Sequence, residues 1–151
     1  MNRMVAILLT VLAAAGSVSC SKTSLTPSPE LASNGDTEVT GRIVSIIGEF
    51  PPNKLYDYVF VMKYRVLRVH RGNADGDIFV GHYDPLKPRA TAQDKFSGNV
   101  GGNVDHFQVG DVHRMALAAP LDECFTGGII DRYTNETGTR YHAIWTDRAT
   151  E

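Results

Sequence analysis

At 151 residues, 42% of them hydrophobic and 21% charged, the chain has room for one globular domain plus a leader. Its 15 basic residues are outweighed by 17 acidic ones, a net charge of -2. That balance argues against a nucleic-acid partner, because a polyphosphate rewards clustered Lys and Arg.

Residues 1–19 read as a secretory signal. Arg3 supplies the positive region, Met4 to Ala15 the apolar stretch, and Gly16-Ser17-Val18-Ser19 the small residues of a cleavage site. The apolar run is short for a hydrocarbon core of about 30 Å. Cys20 follows directly, and the arrangement resembles the lipobox of bacterial lipoproteins, with Ser17 standing where that pattern carries Leu. The resemblance implies diacylglycerol on the Cys20 sulfur, cleavage before it and attachment to a membrane of the cell envelope. Ser21 replaces the Asp that commonly retains such proteins at the inner membrane, so the outer membrane is favoured. In ordinary secretion, the alternative, Cys20 stays a thiol, and a bridge to Cys124 would close a loop of about a hundred residues. Removal of the leader takes away Arg3 alone, leaving 14 basic residues against 17 acidic ones.

Residues 20–36 (CSKTSLTPSPELASNGD) are rich in Ser, Thr and Pro and read as a lipidated cysteine followed by a flexible tether. From Thr37 the pattern becomes β. Thr37–Ile47 alternates with Val39, Gly41 and Ile43 on one face, before Pro51-Pro52 interrupts it. Tyr56–His70 is a long strand with Phe60, Met62, Tyr64 and Val66 on one face and Lys63 and Arg65 opposite. Apolar Leu67 and Val69 fall on the wrong face, which predicts a bend or bulge. A tight connection, Arg71–Gly76, leads to a third strand, Asp77–Tyr83. The irregular stretch Asp84–Val109 carries a short helix around Ala90–Phe96 and a glycine-rich surface loop, Gly98–Asn103, that lacks the Lys of a phosphate loop. Gly110-Asp111 turns into a fourth strand, Val112–Ala119. Leu121–Asn135 is ambiguous, and Arg140–Thr146 forms a last strand with Tyr141, Ala143 and Trp145 on one face. The sum is an all-β fold with short helices: a five-stranded OB-like Greek-key barrel over residues 37–148, following the signal helix and tether. Such a barrel closes its own edges.

Three segments carry a further resemblance: YRVLRVHRG at Tyr64–Gly72, GDIFVGHYDPLKPR at Gly76–Arg89 and VGDVHRMAL at Val109–Leu117. Together they resemble OB-related barrels of the netrin-like and tissue-inhibitor-of-metalloproteinase type. They are closer to bacterial domains found alone or beside alginate O-acetyltransferase-like SGNH enzymes. The similarity runs from Val39 to Trp145. It implies an accessory role, because the chemistry of those enzymes belongs to an SGNH part whose Gly-Asp-Ser motif this chain lacks.

The candidate ligand-binding residues are His82, Tyr83, Asp111, His113 and Arg114. Barrel closure can bring His82, at the end of one strand, towards His113, at the start of another. Arg114 can fork onto a carboxylate or phosphate, with Asp111 orienting it. The plainer reading makes Gly110-Asp111 a β-turn and pairs Arg114 with Asp131 or Asp105. No His or Cys spacing matches a zinc motif, so neither a metal nor a cofactor is implied. Cys124 follows two carboxylates, which raise a thiol pKa. Arg42, Lys63 and Arg65 form an outward basic stripe. Trp145 and Tyr141 read as core, or else as a sugar-stacking platform. The expected function is a non-enzymatic envelope lipoprotein that binds or presents a partner, either a protein or a polysaccharide, linked to exopolysaccharide modification. The alternative is a small metal- or thiol-dependent hydrolase built from His82, His113 and Cys124. A protease-inhibitor-like module would need an exposed N-terminal wedge.

Overall fold

The computed structural model describes residues 26–151. The expected signal peptide, the expected lipidation site Cys20 and the first residues of the expected tether lie outside the described part.

A short helix, α1 (Pro29–Ser33), precedes β1 (Thr37–Ser45), β2 (Tyr58–Arg71) and β3 (Asp77–Tyr83). Then come α2 (Arg89–Ala92), β4 (Gly101–Gly102), β5 (Val112–Ala118), α3 (Leu121–Cys124), β6 (Gly128–Ile130) and β7 (Arg140–Arg148). Strand β1 pairs antiparallel with both β2 and β5, β2 pairs antiparallel with β3, and β5 pairs antiparallel with β7. The ring closes through a parallel pair, β3 with β7. This is a closed five-stranded OB-like Greek-key barrel, with β4 added to β7 and β6 added to β2.

Alternation along the strands fills the barrel. Val39 and Ile43, Phe60, Met62 and Tyr64, Ile78 and Val80, Met115 and Leu117, and Tyr141 and Ala143 form the interior cluster, with Val104 and Phe107 from the long β3–β5 connection. The opposite face of β2 and β3 is covered as well. Val59, Val61, Phe79 and Tyr83 pack under Ala92, Val100, Leu121, Phe125 and Tyr133 of the connecting segments. Burial on both faces is why the start of β2 reads as a continuous apolar run.

The bend expected in β2 consists of two bulges. Thr40 and Gly41 oppose Arg68 and Val66, leaving Leu67 extra, and Glu38 and Val39 oppose Arg71 and Val69, leaving His70 extra. A further irregularity, in β7, overturns one expectation. Ala116 and Leu117 oppose Trp145 and Ala143, so Ile144 is inserted and the phase of β7 changes. Trp145 therefore leaves the interior face shared by Tyr141 and Ala143. Its ring lies over Gly101, where any Cβ would collide with it. Gly98–Asn103 is accordingly no free surface loop: Val100 is buried and Gly101-Gly102 pair with Trp145-Thr146.

The folded part also begins earlier than composition implies. Pro at the first helical position starts α1, Leu31 is buried, and the Ser28 amide donates to Asp147 Oδ2 at 3.1 Å. The Arg71 guanidinium reaches back to the carbonyls of Leu31, Ala32, Asn34 and Gly35 at 2.5–3.2 Å. One apolar side chain, one guanidinium and the bonds of the Ser28 and Asp36 amides hold a segment that looks like tether. The helix expected at Ala90–Phe96 shrinks to Arg89–Ala92.

Candidate ligand-binding site

The structure divides the five sequence-predicted site residues among four places. His82 and His113 do meet, inside the barrel, with Tyr64 between them. Tyr64 Oη lies 3.0 Å from His82 Nε2 and 2.9 Å from His113 Nδ1. Phe107 packs on both imidazoles, and the Arg89 guanidinium lies over its ring. Arg89 is only 3% exposed and donates to the carbonyls of Tyr83, Asp84 and Lys87. Burial drives the His82 pKa well below its ordinary value, with Arg89 adding to it, and brings His113 down to about 4. Both imidazoles face a phenol held in the core.

Asp111 accepts the Gln108 amide at 2.9 Å in a turn where Gly110 adopts φ 98°, and lines a shallow cavity of about 190 Å³ with His106 and His113. Arg114 lies on the outer face of β5. It pairs with buried Glu38 at 2.6 Å and with neither Asp131 nor Asp105, because β1 is the neighbour of β5. Those two acids take Arg140 and Arg148 instead. The basic stripe is likewise neutralised: Arg42 meets Glu151, Lys63 meets Glu136 and Asp77, and Arg65 meets Asp77. Cys124 is exposed at the end of α3, where burial raises its thiol pKa and Glu123, Asp36 and Asp122 raise it further.

Tyr83, the fifth residue, points to a site that chain-order reading missed. It closes one side of a groove of about 570 Å³. Leu55, Tyr56 and Asp57 of the β1–β2 loop, Phe96 of the β3–β5 connection and Phe125 to Gly128 of the β5–β7 connection complete the lining. Leu55, Tyr56 and Phe96 are 91%, 62% and 65% exposed, an unusual concentration of apolar surface at one place. Behind them the rings are fixed: Tyr83 meets Phe125 edge-on at 5.5 Å, and Phe125 stacks on His142 at 6.1 Å.

One carboxylate, Asp57, lines this groove, and Asp84 and Asp94 lie close to it. The Tyr83 hydroxyl donates to Asp94 Oδ2 at 2.8 Å. Asp84, fully buried at φ 43°, accepts from the Asn53 amide, the Tyr58 amide and Lys87 Nζ, the last at 2.6 Å. Oxygens of Asp57, Asp84 and Asp94 lie within 4.8 Å of one another. The Lys87 ammonium, 3.4 Å from Asp57, already supplies a cation to that cluster. Burial pushes Asp84 above the usual carboxylate range, whereas its hydrogen bond with Asp57 holds Asp57 below it. Of the three carboxylates, Asp57 lines the groove itself.

In OB barrels the face of strands 2 and 3, with the loops joining strands 1–2 and 4–5, is where oligomeric ligands bind. The groove occupies that position. Comparison with protein-family models, with curated proteins and with solved structures finds no match to this chain.

Proposed function

We propose that this chain is a non-enzymatic lipoprotein of the cell envelope, held through Cys20 and favouring the outer membrane, whose barrel binds a polysaccharide in the aromatic groove. The observation that carries the reading is the cluster of exposed Leu55, Tyr56 and Phe96 around the OB ligand position. Sugar rings offer apolar C–H faces and a rim of hydroxyl donors. Tyr56 and Phe96 supply flat apolar partners for the faces, and Asp57 accepts from the hydroxyls. The lining offers one carboxylate, Asp57, and no cation to pair with a uronate, so neutral or amino sugars fit best. A binding role agrees with the resemblance to the accessory domain of SGNH-type acetyltransferase proteins. It agrees also with the groups a hydrolase would need: His82 and His113 spend their facing nitrogens on Tyr64, and the Cys124 thiol is raised rather than activated.

The full chain, extracted in detergent, is to be titrated with neutral, amino-sugar and acidic envelope polysaccharides. Tyr56→Ala and Phe96→Ala are each expected to weaken binding about tenfold with the melting temperature unchanged. Equal binding by both variants, or hydrolysis of the polysaccharide by the native chain, overturns the reading.

A further inference from the structure

We propose that the outer end of β2, at Leu67, Arg68 and Val69, is a membrane-facing surface that rests on phospholipid headgroups. The proposal rests on the lipidation of Cys20 and adds which face of the barrel meets the lipid. The first support is where the chain emerges. Thr26 and Pro27 line a single cavity of about 310 Å³ together with Arg68 and His70. Cys20 precedes Thr26 by only six residues. Whatever path those residues take, their covalent length limits the separation to about 20 Å. The surface beside Thr26 therefore cannot leave the neighbourhood of the bilayer.

Second, the exit is held to the barrel. Leu31 is buried, Ser28 is tied to Asp147, and Arg71 collects the carbonyls of Leu31, Ala32, Asn34 and Gly35. The anchor thus ends on a fixed point of the outer face. Third, the adjacent surface suits an interface between lipid and water. The two bulges of β2 expose consecutive residues, with Leu67 and Val69 at 41% and 40%. Arg68 between them has no carboxylate partner among the described residues, whereas Arg42, Arg65, Arg71, Arg114 and Arg148 each have one. Glu151, the acid that shares a cavity with Leu67 and Arg68, is taken by Arg42. An unpaired guanidinium on an apolar stem, flanked by two aliphatic side chains, is matched to phosphate above acyl chains. The groove lies at the other end of β2, beyond Tyr58, so this orientation presents it to the envelope space.

The test uses the full chain with Cys124→Ser, carrying a fluorophore at Leu67→Cys, Val69→Cys or, as control, Tyr56→Cys. Each protein, its Cys20 acylation checked by mass spectrometry, is reconstituted in phosphatidylethanolamine–phosphatidylglycerol vesicles containing brominated lipid. Quenching at positions 67 and 69 is expected to exceed that at 56 by about twofold or more, and Arg68→Glu is expected to remove the difference. Equal quenching at all three positions, or none at 67 and 69 in an acylated chain that floats with the vesicles, overturns the proposal alone. A chain without acyl mass on Cys20 that does not float overturns the anchor reading and this proposal with it.

Discussion

Tyr64 shows how much one hydroxyl can hold in a barrel of this size. Its oxygen satisfies nitrogens of two buried imidazoles, and His82 Nδ1 has no partner on the far side of its ring. A bare lone pair is tolerated in a core better than a stranded N–H. The proton of His82 is therefore assigned to Nε2, which donates to Tyr64, and the Tyr64 hydroxyl donates onward to His113 Nδ1. Tyr64→Phe keeps the ring and strands both imidazoles. Its expected cost is about 2–3 kcal/mol, seen as a lower urea midpoint at unchanged slope. A midpoint equal to the native protein's would mean that the imidazoles find other partners. The facing of Tyr64 was legible from alternation along β2, and the places of His82 and His113 at strand ends pointed to their approach. That the phenol sits between the imidazoles was not, because the meeting depends on how β2, β3 and β5 come together around the ring.

At the scale of elements, the instructive segment is α1 with the residues around it. Composition classes residues 20–36 as tether, and for most of that stretch composition is all there is to read. Leu31, set among Ser, Pro and Asn, carries no periodicity, so its burial is invisible until Arg71, some 40 residues away along the chain, closes over it. Arg71→Ala is expected to release this segment without melting the barrel. Amide exchange at Leu31, Asn34 and Asp36 should quicken about tenfold or more, while amides of β3 and β7 keep their protection. Uniform loss of protection would instead make the contact part of the global fold. The bulges belong to this scale too. Leu67 and Val69 on the wrong face announced the irregularity in β2, since a two-residue period cannot otherwise place them. Trp145 gave no such warning, because one inserted residue, Ile144, leaves a pattern that still alternates on paper.

For the molecule as a whole, three imidazoles are kept neutral by burial. The pKa of His82 falls well below 6.5, and those of His113 and His142 come down to about 4. The unfolded chain takes up protons as pH falls below about 6.5, and the folded chain refuses them. Their contribution is therefore present above pH 6.5 and is lost as pH drops from about 6.5 towards 4. Each histidine lowers stability by up to about 1.4 kcal/mol per pH unit across that window. Urea midpoints measured between pH 7 and 5, above the range where ordinary carboxylates titrate, should fall steadily, and a flat profile would show that these imidazoles protonate within the fold.

The sequence by itself determined the β class, the order of the five long strands and which residues of most strands point inward. Each of these is local, because the pleat turns side chains over every second residue and Gly, Pro and Asp mark where a strand must stop. Only the tertiary structure decided the parallel closure of β3 on β7, the His82–Tyr64–His113 contact, the partner of Arg114, the docking of α1 and the aromatic groove. Leu55, Tyr56, Phe96 and Phe125 stand in loops as scattered apolar residues among Pro, Gly and polar neighbours. They become one surface because closing the barrel brings the β1–β2, β3–β5 and β5–β7 connections together at one site, a relation between distant segments that no local pattern encodes.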